Sequence, residues 1–433
     1  MSGVDPLEPP RLELTDTTLD NGLRVVVHRD PSTVLASVNL WYGVGSRDEE
    51  VGRTGFAHLF EHMMFQGSAN VPSGDHFKLL EEVGASLNAT TSLDRTNYFE
   101  TVPLEHLDLA LWLEADRMGS LDVSLENLDN QRDVVKEEKR QRYDNQPAGT
   151  LWPDVLHGLF DPAHPYGHAP IGSMEDLDAA SLEDVQRFHS TWYGPDNAVL
   201  TVVADLDPQE VLRRVEQYFG GIEPLGGTPA VPDGDLPSFA LDTPVRREVT
   251  DRMVDPVVCS AWRIPPYRHA DHAAALIGLA VLGYGRGSRL SRALTMDQQL
   301  VSPSARFTSG TDFVVGAAIG LGRFEARSGV TADQVSDAVL GEFQRLVDDP
   351  PGIEEVQRAQ ALFAVDWLET LSDVAQRADA ISRITQLTGD PLHVNDELDG
   401  VLAVTPDDVA RVAADVLAPD AGLLLSYVPE DAA

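Results

Sequence analysis

His58-Leu-Phe-Glu61-His62 lies inside the run Gly52-Arg-Thr-Gly55-Phe-Ala-His58-Leu-Phe-Glu61-His62-Met-Met-Phe65-Gln-Gly67-Ser68. Its apolar residues predict a helix starting near Thr54. At about 100° per residue, His58 and His62 lie about 40° apart and point their imidazoles the same way. Glu61 lies about 60° from His58 on the other side. Two histidines at i and i+4 suit zinc, which takes neutral imidazole nitrogen. A catalytic zinc site needs a third protein ligand and an open position for water. Glu61 is placed to take a proton from that water. The plainer alternative is a pair of hydrogen-bonded histidines on a helix face.

Upstream, Gly22 to His28 and Val34 to Tyr42 read as strands. Downstream, a helix ends at Leu79 to Val83 and is closed by Gly84; Leu87 to Val102 gives one or two strands. Leu104 to Met118 is helical, with Leu107, Leu111, Ala115 and Met118 on one stripe, and Leu125 to Arg142 is a second helix. Asn197 to Ala204 reads as a buried strand and Pro208 to Phe219 as a helix. Gly220 to Ser238 is rich in Gly, Pro and Asp and lacks apolar periodicity, which marks a linker. After it the order begins again. A strand at Val257 to Arg263 precedes a helix at His272 to Leu282 and the bend Gly283-Tyr-Gly285-Arg-Gly287-Ser-Arg289-Leu290. A strand at Asp312 to Leu321, helices at Ala332 to Val347 and Ile353 to Leu371, and a strand at Gly422 to Val428 follow. The bend lacks the Lys-Ser/Thr of a phosphate-binding loop. The expected fold class is α+β, an internal duplication of two homologous α/β sandwich domains. Each is a mostly antiparallel sheet with helices on one face. The domains are expected at residues 1–222 and 239–433, joined by a linker at 223–238.

The chain has 433 residues and a formal net charge of −38. That charge repels phosphate backbones and anionic lipid, so neither nucleic acid nor a membrane is an expected partner. The single cysteine, Cys259, permits no intramolecular disulfide and no thiolate cluster, so a metal site must use His and carboxylate. No window is apolar enough for a membrane span. Met1 to Pro10 carries Asp5, Glu8 and three prolines and has no apolar core of a secretory signal, so the expected compartment is the cytoplasm. The acidic charge fits a solvated surface; it also fits a chamber lining that concentrates basic peptides.

The run around His58 resembles the pitrilysin/insulinase family of zinc metallopeptidases, whose signature is Gly-x-Ala-His-x-x-Glu-His-x-x-Phe-x-Gly. This His-x-x-Glu-His order inverts the more familiar H-E-x-x-H motif. Gly45-Ser-Arg-Asp-Glu49, the stretch from Glu82 to Tyr98, His164-Pro-Tyr-Gly-His168 and Trp192-Tyr-Gly-Pro195-Asp-Asn197 also match family landmarks. The resemblance is close in the first half and looser in the second. It implies one zinc per chain, with His58 and His62 as ligands and Glu61 as general base. The family's third ligand is a glutamate about 75 residues downstream, within Gln131-Arg-Asp-Val134-Val135-Lys-Glu137-Glu138-Lys139. Glu137 and Glu138 compete for that role. If Val134 and Val135 mark the buried face, Glu138 falls within about 10° of its centre and Glu137 about 110° away. The family pattern, six residues after Arg132, also selects Glu138. Gln131 shares that face, where many relatives carry a second supporting glutamate. Asn88 and Ala89 match positions on an edge strand that offers backbone groups to a peptide; Asn88 also suits a turn or bulge.

Family members of this length often pair with a homologous chain that supplies an Arg and a Tyr to the substrate carbonyl. The matching positions here are Thr295 and Ser302, which offer neither group. The resemblance therefore implies the zinc-bearing subunit of a heteromeric endopeptidase for peptides or unfolded segments, with a homodimer as the other arrangement. Its alternative is a non-catalytic structural subunit of the same family.

Overall fold

The structure, a computed structural model, describes residues 10–229, 238–303, 306–311 and 316–430. The first ten residues, apart from Pro10, and much of the expected linker lie outside that set.

Six strands form the first sheet: β1 (Leu14–Thr18), β2 (Arg24–Arg29), β3 (Leu35–Tyr42), β4 (Ser86–Thr91), β5 (Thr96–Pro103) and β6 (Ala198–Ala204), in the order β1-β2-β6-β3-β5-β4. The second sheet has β7 (Val245–Asp251), β8 (Val257–Ile264), β9 (Arg306–Thr311), β10 (Ala318–Glu325) and β11 (Leu423–Pro429), in the order β7-β11-β8-β10-β9. Apart from β1, which has no counterpart among the described residues, the two sheets agree strand for strand. β2 runs parallel to β6 as β7 does to β11, and the remaining pairs that correspond are antiparallel. The duplication read from element order is therefore present in the hydrogen-bond ladders. The strand expected at Asp312–Leu321 sits later, at Ala318–Glu325, because its ladder with β8 continues through Gly322-Arg323-Phe324; residues 312–315 lie outside the described set.

The helices of the first half are α1 (Phe56–Met63), α2 (Asp75–Glu82), α3 (Leu107–Ser120), α4 (Leu125–Lys139), α5 (Leu151–Leu159), α6 (Met174–Ala179), α7 (Leu182–Trp192) and α8 (Pro208–Phe219). Those of the second are α9 (His272–Gly283), α10 (Ala332–Asp348), α11 (Ile353–Ser372), α12 (Val374–Thr388), α13 (Glu397–Leu402) and α14 (Pro406–Asp415).

Helices cover one face of each sheet, as expected, and the structure adds a helix on the other face. β2 and β6 alternate: Val25, Val27, Leu200 and Val202 enter the main core, while Val26, Val199 and Val203 face the opposite way. That second face is covered by Ala378, Ile381 and Ile384 of α12, from the other half of the chain. The exchange is reciprocal. α5 packs on β8 and β11, with Gly158 against Leu423 and the Tyr427 hydroxyl donating to Asp154 at 2.7 Å. Each half lends one helix to the other's sheet, an arrangement that the local periodicity of α5 and α12 does not announce.

Candidate functional site

α1 begins at Gly55, whose φ of 95° is left-handed and favours glycine. A side chain at Gly172 would strike the Gly55 backbone at 2.5 Å, so two glycines let the chain cross closely there. No side chain from the preceding residue caps the helix. The cap comes from Glu49, whose two oxygens accept from the N–H groups of Gly55 (2.9 Å) and Ala57 (2.8 Å). His168 Nε2 lies 2.9 Å from the same carboxylate. Thr54 is held in turn by Asp176, which accepts from its N–H at 3.1 Å. The Gly45–Glu49 and His164–His168 landmarks thus frame the start of α1. Tyr166, between the two histidines, donates to Asp94 at 3.0 Å.

α4 buries Leu128, Gln131 and Val135 and turns Glu138 inward on the same stripe, while Glu137 is exposed. Val134, used above to mark the buried face, is 43% exposed. The stripe instead follows the i, i+3, i+4 spacing 128/131/135/138, and Glu138 belongs to it. Glu138 Oε2 lies 3.2 Å from His62 Nε2 and 3.7 Å from His58 Nε2. Its other oxygen accepts from Arg142 Nη1 at 2.6 Å. Burial, then the neighbouring His62, pushes the His58 imidazole down to about 4, so it is neutral at ordinary pH. The hydrogen bond from His62 holds Glu138 below the usual carboxylate range. Two neutral-capable imidazoles and one ionised carboxylate, with donor atoms within 4.8 Å of one another, are the donor set and number of a catalytic zinc site. The His58 Nδ1 atom is buried without a hydrogen-bond partner.

A second carboxylate–histidine group, His76, Glu100 and Glu114, is fully buried. Arg117 already occupies it, paired with Glu114 and 3.5 Å from Glu100. That guanidinium also stacks over Tyr98 at 4.3 Å, so the cluster's cation belongs to the chain itself.

Glu61 shares a helical turn with both histidines, and burial raises its carboxyl. Thr91, on β4, lies beside it and opposes that rise. β4 is the free edge of the first sheet. Ser92 N–H donates to Arg95 O at 2.9 Å, which fixes the alternation of the ladder. Asn88 therefore pairs its backbone with Phe99 of β5, while the Ala89 backbone faces the open edge. The exposed Asn88 side chain folds over that edge, and its Oδ1 accepts from the Ala89 N–H at 2.9 Å. The two residues thus differ: Ala89 offers the backbone groups, and Asn88 covers them.

Thr295 lies in the wide turn Ser291–Asp297, and the Ser302 N–H donates to Glu325 O at 2.9 Å. Glu49, Thr91 and Arg142 carried no role in the sequence reading. Glu49 and His168 were visible only as landmarks, and Arg142 could have been found from its i+4 spacing to Glu138. Among the described residues no helix is long and apolar enough to cross a membrane.

Residues 24–160 match the family profile "Insulinase (Peptidase family M16)", and residues 179–363 match "Peptidase M16 inactive domain". The zinc protease PqqE of Helicobacter pylori is 34% identical over 292 residues, which are 66% of this chain and 64% of that protein. The match thus spans slightly under two thirds of that relative's length. An uncharacterized zinc protease of Streptomyces coelicolor is 26% identical over 422 residues, 93% of this chain and 86% of its own. The crystal structure of a protease from Helicobacter pylori is similar with a TM-score of 0.90 and 26% identity, covering 97% of this chain and 100% of that one.

Proposed function

We propose a function from the premise that this chain belongs to the insulinase family, peptidase family M16: it is a zinc-dependent endopeptidase acting on peptides or unfolded polypeptide segments. The observation that carries this reading is the convergence of His58, His62 and Glu138 within 4.8 Å, with Glu61 on the turn between the histidines. His58, His62 and Glu138 would hold one zinc ion per chain. Bound there, zinc supplies Lewis-acid polarisation of a carbonyl and a water of lowered pKa. Glu61 accepts the proton of the attacking water and returns it to the leaving amine. Burial raises its affinity for a proton, which favours taking one from water and keeping it for the leaving amine. Gln131, buried on the ligand stripe of α4, supports the site without adding a charge. Arg142 holds one oxygen of Glu138 and leaves the other facing the histidines. The free edge of β4 docks the substrate as an added strand, with Asn88 swinging away from Ala89.

Thr295 and Ser302 cannot donate to a substrate carbonyl as Arg and Tyr would, so a homologous subunit is proposed to supply those groups. The second reading, a structural subunit, draws on those same positions and on the inactive-domain match of residues 179–363. Metal analysis separates the two. One zinc per chain, lost in His58→Ala, supports the enzyme. Glu61→Gln should keep the zinc and lose about 10²–10⁴-fold in peptide cleavage. A chain that binds no zinc sinks the peptidase reading. Full activity of the isolated chain, with nothing gained from a co-purified homologue, sinks only the heteromeric part.

A further inference from the structure

A cavity of about 1000 Å³ lies between the two halves. α12 packs on β6, β3 and β5 of the first sheet, and β4 is not among the strands it chiefly covers. The cavity opens at this place. Thr90 and Phe99 wall it on the sheet side; Tyr284, Phe363 and Trp367 wall it on the other.

Several of its polar groups are engaged with one another. The Tyr284 hydroxyl donates to Asp366, Tyr267 and Arg383 both donate to Glu397, and Asn97 donates to Asp379 at 2.8 Å. The larger part of what the walls offer a visitor is aromatic and aliphatic surface, in a volume at the upper end for a ligand pocket. β4 connects this cavity to the zinc-type site. Ala89 pairs with Tyr98, whose hydroxyl donates to Phe60 of α1 at 3.2 Å, so these side chains face α1. Asn88, Thr90, Asn97 and Phe99 alternate to the opposite, cavity-side face.

We propose that this cavity receives large apolar side chains, aromatic above all, from a peptide docked as a strand on the free edge of β4. The proposal rests on the peptidase reading above and adds a substrate class to it. A docked strand alternates in the same way: one set of side chains turns to the α1 face, and the next set shares the face of Thr90, which lines the cavity. Successive side chains of that set are about 7 Å apart.

The test compares peptides carrying Phe or Ala at alternate positions. Binding to the full-length Glu61→Gln chain is read by fluorescence anisotropy. kcat/KM is read with the zinc-loaded wild-type chain, retaining any subunit that co-purifies. Phe peptides should bind roughly tenfold tighter than Ala peptides. Thr370→Trp, placed to fill the cavity, should remove that advantage, so that Phe and Ala peptides bind alike. Trp367→Ala, which strips one wall, should shrink it and serves if Thr370→Trp fails to fold. Equal binding of both peptides, or an advantage that survives both variants, overturns the cavity proposal and leaves the peptidase standing. Failure to bind or cut any peptide overturns the reading beneath it.

Discussion

The two sheets of this molecule share one plan over five strands, yet among the described residues only the first has a helix that brings two histidines to a glutamate. In both, a β-strand leads into a helix that packs on the sheet: β3 into α1, β8 into α9. α9 is apolar on all sides, with Ala274, Ala275, Ile277, Leu279, Ala280, Val281 and Leu282 buried. α1 buries Phe56, Ala57, Leu59, Phe60 and Met63, and keeps one polar face for His58, Glu61 and His62. The difference teaches that the duplicated frame supplies position alone. The metal-type cluster lies on one copy, and the matching helix of the other copy is packing. The reciprocal loan of α5 and α12 explains why the second copy persists: the first sheet is incomplete without it.

The strongest way to break that comparison is to separate the halves. Residues 1–222 expressed alone would expose Val26, Val199 and Val203, which α12 covers. Burial of such side chains is worth about 1.5–3 kcal/mol each, so the fragment should fail to fold or should aggregate. Circular dichroism and size-exclusion chromatography of the fragment, with and without residues 239–433 added, would show it. A cooperative, monomeric fragment would mean that the halves are true independent domains.

A single ion pair sharpens the same point. Arg377 of α12 donates to Asp30 of the first half at 2.7 Å, and both side chains are at least nine-tenths buried. Arg377→Ala leaves Asp30 buried without its cation and should cost about 3–5 kcal/mol in urea unfolding. Arg29→Ala breaks a mostly exposed pair with Asp205 in the same half and should cost under about 1 kcal/mol. Equal losses would show that the exchanged helix contributes nothing special.

The convergence of the first half's histidines and glutamate was legible because most of it is local. His58, Glu61 and His62 share one turn, and Glu138 was chosen by facing arithmetic that survived a wrong marker in Val134. The duplication was legible as repeated element order. The exchange was not, because nothing in the periodicity of Val374–Thr388 says which sheet it will cover. Glu49 was equally silent: its neighbours in sequence do not reveal that it caps a helix six residues later.

Glu49 provides the third prediction. Glu49→Gln keeps the shape but points an N–H donor at groups that also donate. The expected loss is about 2–3 kcal/mol, with weaker zinc retention in a chelator competition, because α1 loses the carboxylate that caps it. At α9 the counterpart is Asp271, which makes no cap hydrogen bond; Asp271→Asn should cost well under about 1 kcal/mol. If Glu49→Gln binds zinc as the wild type does, the cap does not set the position of the ligands.

The smallest effect concerns the packing beneath α1. His189 of α7 stacks on Phe60 of α1 at 5.6 Å between centroids, and burial pushes its imidazole down to about 4. An unfolded histidine titrates near 6.5, so between those values the unfolded chain takes a proton that the folded chain refuses. Stability should therefore fall as pH drops, by about 1.4 kcal/mol per unit below 6.5 until about 4. Metal release would add its own acid sensitivity, so the comparison belongs to zinc-free protein, wild type against His189→Phe. Unfolding free energies from urea titrations at pH 7.5 and 5.5 should differ by about 1.4 kcal/mol more in the wild type than in the variant. An identical acid loss in both would place the sensitivity elsewhere and leave α1 packed on a histidine that stays neutral for other reasons.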